Sequence, residues 1–311
     1  MSRIYEALQK AESEKNVERQ ADGLRMPVDE QVDAPATATI PYDEPMTFAG
    51  VGVEEPIPVS QSGGSLNTSA IGRLPWNPAV DRLPALLERG PAVEQFRSLR
   101  SRVYEARDIR PIKSILVSSG LPQEGKSFVS ANLAVSLARH KSSKVLLIDG
   151  DMRRYTLHEL LGTESHPGLA EYLAGKATVE QVMQRMVDDP APNSINHILS
   201  NLTFIPGGNG GDKAADLSGN PRFGELLRLA APYFDWIIVD SSPVVPVSDG
   251  VNLARSCDGV LLVARAGVTK YPVAQRAAAE LRSANVLGFV LNAVIEGPQM
   301  STYYGYNSSK E

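Results

Sequence analysis

The chain has 311 residues, which is enough for one large domain or two modest ones with a buried core. Its formal net charge of −5 gives no general attraction to nucleic acid or anionic lipid, so no nucleic-acid partner is expected. No apolar stretch approaches the ~20 residues of a membrane span, and none resembles a signal peptide. We therefore expect a cytoplasmic protein. Its single cysteine, Cys257, adjoins an apolar run and is expected to be an inert, buried thiol.

The first part of the chain is predicted to lie outside the main domain. Residues 1–21 have the pattern of a short helix, with Ile4, Leu8 and Ala11 along one narrow face. Residues 22–75 are predicted to be a disordered linker. Between positions 26 and 60 there are seven acidic residues, several prolines and no Lys or Arg, a composition that buries too little apolar surface to fold.

Residues 76–300 alternate apolar strands with helices. The predicted strands are Ile112–Ser118, Lys144–Asp149, Leu202–Pro206, Trp236–Asp240, Gly259–Arg265 and Val286–Leu291. The predicted helices are Pro91–Arg107, Lys126–His140, Phe223–Ala231, Gly250–Arg255 and Pro272–Ala284. Continuously apolar strands are typical of a parallel sheet covered on both faces, so we expect a doubly wound α/β fold of the P-loop NTPase type. Residues 301–311 are expected to be a flexible tail that carries Tyr303, Tyr304 and Tyr306.

The segment Gly120–Ser127 reads G-x-x-x-x-G-K-S between a predicted strand and a predicted helix, which is the pattern of a phosphate loop. Loop amides and the start of the helix would face a bound anion. Lys126 would reach the β- and γ-phosphates, and Ser127 would hold Mg²⁺. The nucleotide-binding residues predicted here are Gly120, Glu124, Gly125, Lys126, Ser127 and Phe128.

Two predicted strands end in carboxylates at the edge where the phosphate loop lies. Asp149, Asp151 and Arg153 follow one strand, and Asp240 follows another as D-x-x-P. Mg²⁺ typically takes one or two carboxylates plus phosphate and water oxygens, and Asp240 fits that need. An ordinary P-loop ATPase needs only one such carboxylate. The additional pair, Asp149 and Asp151, therefore suggests a further task, such as ordering a metal-bound water or accepting a hydroxyl proton. Arg153 is predicted to contact the nucleotide or to form a structural salt bridge with a carboxylate.

The helix predicted at Pro91–Arg107 carries Glu94, Arg97 and Arg100 in the pattern E-x-x-R-x-x-R. Such a charge ladder is commonly a solvated helix face. It is also suited to an inter-subunit contact, because arginine pairs well with carboxylates.

Taken together, these motifs resemble the bacterial tyrosine kinases, specifically the cytosolic type encoded with exopolysaccharide or capsule export genes. That family combines a Walker A loop, a D-x-D-x-R motif, a Walker B motif, an upstream E-x-x-R-x-x-R helix and a tyrosine-rich C-terminus. The resemblance covers about residues 90–306, with the motifs in the same order. The chain departs from the pattern in its short tyrosine cluster and in Ser241-Ser242 after Asp240.

The resemblance implies that ATP·Mg²⁺ binds at the loop and that the γ-phosphoryl group passes to a tail tyrosine of a neighbouring subunit. Lys126 would neutralise phosphate charge, and the metal would be held by Ser127, Asp149 and Asp240. Asp149 or Asp151 would assist tyrosine deprotonation, and the sequence does not choose between them.

It further implies three partners. The first is the chain itself, in a head-to-tail ring built through the E-x-x-R-x-x-R helix. The second is a separate membrane-embedded polysaccharide co-polymerase that activates the kinase at the inner face of the plasma membrane, and the third is a cognate tyrosine phosphatase. The kinase would then regulate polysaccharide polymerisation and export.

Two other functions fit parts of the sequence. Partition-type ATPases share the fold, but they place a lysine directly after the first glycine of the loop, where this chain has Leu121. A nucleotide-dependent scaffold for a polysaccharide co-polymerase would need no phosphoryl transfer. The presence of Lys126 and the aspartates favours chemistry over a scaffold.

Overall fold

A computed structural model of the chain describes residues 65–140, 142–187 and 196–295. These residues form one sheet in the order β1-β4-β5-β3-β6-β2-β7-β8. The strands are β1 (Gly72–Leu74), β2 (Ser114–Ser119), β3 (Val145–Asp149), β4 (Gln184–Met186), β5 (Leu202–Ile205), β6 (Trp236–Asp240), β7 (Gly259–Arg265) and β8 (Val286–Asn292). Strands β5, β3, β6, β2, β7 and β8 are parallel to one another, whereas β4 pairs antiparallel with β5 and parallel with β1.

Helices connect the strands and lie on both faces of the sheet. They are α1 (Pro91–Ile109), α2 (Lys126–Ala138), α3 (Leu157–Leu161), α4 (Leu169–Leu173), α5 (Val179–Val182), α6 (Asn196–Leu199), α7 (Ala214–Ser218), α8 (Arg222–Ala230), α9 (Asp249–Ala254) and α10 (Tyr271–Glu280). Short 3-10 turns span Val80–Arg82, Pro84–Leu86 and Gly211–Lys213. No helix in the described part of the chain is long and apolar enough to cross a membrane.

Two apolar layers hold the fold together, one on each face of the sheet. On one face, α1 and α2 pack against Ile115 and Val117 of β2. On the other, α8, α9 and α10 pack against Leu116 of β2 and Leu146 of β3. Side chains of a strand alternate between the faces, so strands covered on both sides are apolar at nearly every position. This confirms the predicted α/β sheet, whose parallel strands all present their carboxyl ends at one edge.

All six predicted strands and all five predicted helices are present, with ends that shift by up to four residues. The predicted linker end at residue 75 is wrong, because Leu66 and Ile71 are buried and Gly72–Leu74 form β1. The domain therefore includes residues from 65 onward. The predicted helix at 1–21, the rest of the linker and the tail tyrosines lie outside the described residues. Cys257, expected to be buried, is half-buried and packs against the apolar layer that contains α8–α10. Burial raises the pKa of its thiol, as expected for an unreactive cysteine.

Candidate active site

The phosphate loop joins β2 to α2, and a side chain at either of its two glycines would collide with a neighbouring residue. Gly125, directly before α2, has a φ of 93°, and a Cβ there would lie 2.0 Å from Nδ2 of Asn292. A Cβ on Gly120 would lie 2.9 Å from Cγ1 of Val273. No side chain among the described residues caps the start of α2, so its first amides are available to an anion. These features fit the predicted phosphate cradle.

Glu124 shapes this loop from within the protein. Its side chain is buried, and its carboxylate accepts hydrogen bonds from the Leu121 amide (2.8 Å) and the Thr269 hydroxyl. The Asn292 side chain donates to the Glu124 carbonyl at 3.0 Å. A nucleotide contact of Glu124, predicted from the sequence, would therefore come from its backbone. Thr269 and Asn292 were not singled out in the sequence, because they lie about 145 to 168 residues away and belong to no motif.

Asp149 and Asp240 lie side by side, since the register of β3 and β6 pairs their Cα atoms. Asp149 is fully buried, and each of its carboxylate oxygens accepts a backbone N–H: one from Asp151 at 3.2 Å, the other from Leu157 at 3.1 Å. Burial, followed by the negative charge of Asp240, raises the pKa of Asp149 well above its ordinary value. Asp149 thus fixes the backbone that positions Asp151.

Asp240 has one satisfied and one unsatisfied carboxylate oxygen. Its Oδ1 accepts a hydrogen bond from the Ser130 hydroxyl at 3.0 Å, whereas the buried Oδ2 has no partner among the described residues. Burial raises the pKa of Asp240 to about 6, although the charge of Lys126 and the Ser127 hydroxyl lower it. A buried carboxylate oxygen without a donor is costly unless a cation or another ligand binds it.

Lys126 lies among these carboxylates and pairs with Asp151. Its Nζ is 3.2 Å from Asp151 Oδ2, and the other Asp151 oxygen accepts the Arg154 amide at 3.1 Å. Burial lowers the pKa of Lys126, but the charges of Asp240, Asp151 and Asp149 outweigh it and raise the pKa overall. The structure therefore brings together all four residues predicted to be catalytic and keeps the lysine charged.

The residues present fit Mg²⁺ bound together with a phosphate ligand. In the described segments, no group of three or more His, Cys, Asp or Glu side chains is arranged to hold a metal ion by itself. Mg²⁺ commonly completes its octahedron with phosphate and water oxygens. Ser127 and the unpartnered Oδ2 of Asp240 suit that arrangement. Asp149, the third predicted ligand, already uses both oxygens on backbone amides.

Two further predicted nucleotide contacts have protein partners. Arg153 Nε donates to Asp249 Oδ2 at 2.6 Å, and Asp249, the first residue of α9, is only 2% exposed. The Phe128 ring meets Phe96 of α1 edge-on, with ring centroids 5.6 Å apart. Arg153 therefore forms the structural salt bridge that was one of its two predicted roles. Its partner, Asp249, was not predicted from the sequence, because no motif marks it. Nucleotide contacts of Arg153 and Phe128 remain predictions.

The E-x-x-R-x-x-R ladder makes its contacts within the chain. Glu94 and Arg97 form an ion pair, and Arg97 also donates to the Glu88 carbonyl at 2.9 Å. Arg100 donates to the Ser136 carbonyl of α2 at 2.7 Å. The ladder thus ties α1 to its surroundings, and its predicted role between subunits remains a prediction.

No protein-family model matches the chain. The tyrosine-protein kinase YwqD of Bacillus subtilis is 33% identical to it over 220 residues, which are 70% of this chain and 87% of YwqD. EpsB of Ralstonia solanacearum is 35% identical over 221 residues, 70% of this chain but only 27% of EpsB. The solved kinase domain of the Escherichia coli tyrosine kinase ETK matches with a TM-score of 0.60 and 32% identity, covering 69% of this chain and 80% of that domain.

Proposed function

Because the chain belongs to the bacterial tyrosine-protein kinase family, we propose that it transfers the γ-phosphoryl group of ATP to tyrosine. The observation that carries this proposal is the grouping of a charged Lys126 with Asp149, Asp151 and Asp240 at the start of α2. Phosphoryl transfer asks a protein mainly for positioning and for stabilisation of charge. A lysine held among carboxylates, next to an uncapped helix start, supplies both.

Each group has a role in this reaction. The α2 amides and Lys126 bind the phosphates, and Lys126 neutralises charge on the transferred group. Ser127 and Asp240 would hold Mg²⁺, which when bound neutralises phosphate oxygens. The bond between the γ-phosphorus and the bridging oxygen breaks while the tyrosine oxygen bonds to phosphorus, and ADP leaves. We assign the tyrosine proton to Oδ2 of Asp151, because its partner is the Lys126 side chain, which can turn to the phosphates and leave that oxygen free. Both oxygens of Asp149 instead hold backbone amides, which cannot turn away.

The proposed acceptors are Tyr303, Tyr304 and Tyr306 of a neighbouring subunit, in a head-to-tail ring that contacts through Glu94, Arg97 and Arg100. Each phosphotyrosine adds about −1.5 to −2 charges, so phosphorylation of the tail should loosen the ring. Size-exclusion chromatography of phosphorylated and phosphatase-treated protein tests this step. Identical elution of the two samples would contradict it.

The proposed setting is the inner face of the plasma membrane. There a membrane-embedded polysaccharide co-polymerase recruits and activates the kinase, and a cognate tyrosine phosphatase reverses it. The supporting observation is the family membership, together with the resemblance to kinases of exopolysaccharide and capsule loci. Weak phosphorylation by the chain alone, and stimulation by the cytoplasmic tail of such a partner, are expected. Full activity without any partner would count against the activation step.

Incubation of the purified chain with Mg·ATP, with free phosphate and phosphotyrosine measured separately, tests the proposed function. Phosphotyrosine that disappears in Lys126→Met supports the kinase. Free phosphate with unmodified tyrosines would instead indicate a partition-type ATPase. Neither product would indicate a nucleotide-dependent scaffold.

A further inference from the structure

A groove of about 910 Å³ lies between helix α1 and strand β8. Phe96, Leu99 and Arg102 line it from α1, and Phe289 and Leu291 line it from β8. Most of its lining is apolar. Phe289 is 44% exposed and Leu291 is 56% exposed, although both are large hydrophobic side chains. Exposed apolar surface of this kind commonly marks an interaction site.

The groove also lies at the outer edge of the sheet. Strand β8 is the last in the strand order, and the chain continues from it through Val294 and Ile295, which line the same groove. Edge strands are normally protected by charges, by proline or by covering segments. At its inner end the groove reaches Phe128 and Asn292, which adjoin the phosphate loop. An occupant would therefore cover an exposed edge beside the active site.

We infer that this groove receives residues 296–311 of the same chain in their unphosphorylated form. The described chain ends at Ile295 on the groove itself, with that side chain 94% exposed. The eight residues from there to Tyr303 span up to about 27 Å, enough to fold back across the groove. The large apolar side chains of this segment are Met300, Tyr303, Tyr304 and Tyr306.

The chemistry of the groove suits tyrosine. A tyrosine ring buries a large apolar area and keeps its hydroxyl at a polar rim. Arg102 provides such a rim, because its guanidinium is well exposed and only its Nη1 reaches Glu105, at 3.4 Å. A cation beside an aromatic ring adds further attraction. The unphosphorylated tail thus matches the groove in both its apolar and its polar parts.

Phosphorylation should release the tail, because a phosphoryl group bearing about −1.5 to −2 charges is costly to place against apolar side chains. The groove would then hold unmodified tails and limit their delivery to neighbouring subunits. This regulatory role rests on the proposed function, whereas binding of the tail to the groove does not.

Photo-crosslinking tests the binding step. The full chain carries Lys126→Met, so that it stays unphosphorylated, and p-benzoylphenylalanine in place of Tyr304. Isotope-labelled and unlabelled chains are mixed at low concentration, irradiated and mapped by mass spectrometry. We expect crosslinks within one chain to α1 and to the 289–295 segment. Leu291→Glu should lower their yield about tenfold, because it puts a charge in the groove. Ile109→Glu is the matched control on α1, since Ile109 is 87% exposed and lies outside the groove.

Crosslinks that fall elsewhere, that join only different chains or that persist in Leu291→Glu would overturn the inference. So would unchanged tail crosslinks together with weaker Mg·ADP binding when Leu291→Glu is introduced into a second chain that keeps Lys126, because the groove would then hold the nucleotide base. The crosslinks need no phosphoryl transfer. Groove crosslinks in a protein that never forms phosphotyrosine therefore count against the proposed function alone.

Discussion

The ammonium of Lys126 lies 3.2 Å from the carboxylate of Asp151, and the two side chains are only 14% and 4% exposed. This ion pair joins the phosphate loop to the segment that follows β3, so two distant sequence motifs meet in one buried contact. Removing one partner of a buried ion pair leaves the other charge without its nearest counter-charge. For Lys126 that loss is partial, because the charges of Asp240 and Asp149 also act on it.

Replacement of Asp151 by asparagine should lower the rate of tyrosine phosphorylation at least about 100-fold. Asparagine retains an oxygen for the Arg154 amide but cannot accept the tyrosine proton. Mg·ADP affinity should stay within about threefold, since Lys126 and Asp240 remain. Glu280→Gln, which breaks an exposed pair with Arg276 outside the groove, serves as the control and should leave the rate unchanged. An Asp151→Asn chain with full activity would place the base elsewhere.

The raised pKa of Asp240, about 6, predicts a pH dependence of magnesium binding. Above pH 6 the carboxylate is ionised and can bind the metal, and as the pH falls through about 6 a proton competes for it. Mg·ADP affinity should therefore fall up to about tenfold per pH unit below that value. Calorimetric titrations between pH 5 and 8 measure this, with Asp240→Asn as a comparison that should bind weakly and without this dependence. Affinity that is level down to pH 5 would refute a role of Asp240 at the metal.

Gly125→Ala should abolish nucleotide binding and destabilise the fold by about 3 kcal/mol, because the new Cβ would collide with Asn292 as well as strain the backbone. Gly175→Ala separates the two effects. Gly175 has a φ of 75°, but a Cβ there would meet no atom of the described residues within 4 Å, so this substitution should cost only about 1 kcal/mol and leave ADP binding intact. Chemical denaturation and ADP titration give both quantities. Equal losses at the two sites would rule out the steric explanation.

Arg153→Gln should lower the free energy of unfolding by about 1 to 2 kcal/mol, because it leaves the buried Asp249 without its cation. ADP affinity should change less than twofold if the Arg153 guanidinium contacts Asp249 and does not contact the nucleotide. Arg276→Gln breaks an exposed pair with Glu280 and should stay within about 0.5 kcal/mol of the native chain. A tenfold loss of ADP affinity in Arg153→Gln would instead support the predicted contact of Arg153 with the nucleotide.

The central strands could be predicted from the sequence because each is a nearly continuous apolar run, as in Val145–Asp149. Strands β1 and β4 could not. Each has three residues at or near the outer edge of the sheet, with Arg73 and Arg185 at their middle positions, so neither has an apolar run. Their pairing depends on contacts more than 100 residues apart. Short edge strands depend on that tertiary context, which no local pattern reports.

The residues of the candidate site likewise fall into two groups, those that the sequence predicts and those that it does not. Lys126, Asp149, Asp151 and Asp240 were predictable, because motifs place them at the ends of adjacent parallel strands. Thr269, Asn292 and Asp249 were not, because each contacts a site residue that is far from it in the sequence and none belongs to a motif. Glu124 was assigned to the nucleotide from its position in the loop. Only the structure shows its carboxylate bound to protein groups.

Transfer of phosphate between chains is the central claim, and a mixing experiment tests it most directly. One chain carries Lys126→Met with its tail intact, and the other carries phenylalanine at positions 303, 304 and 306 with Lys126 intact. Each alone should form no tail phosphotyrosine, and the mixture with Mg·ATP should phosphorylate Tyr303, Tyr304 or Tyr306 of the Lys126→Met chain. If the mixture forms no tail phosphotyrosine under conditions where the unaltered chain phosphorylates its own tail, transfer between subunits is contradicted.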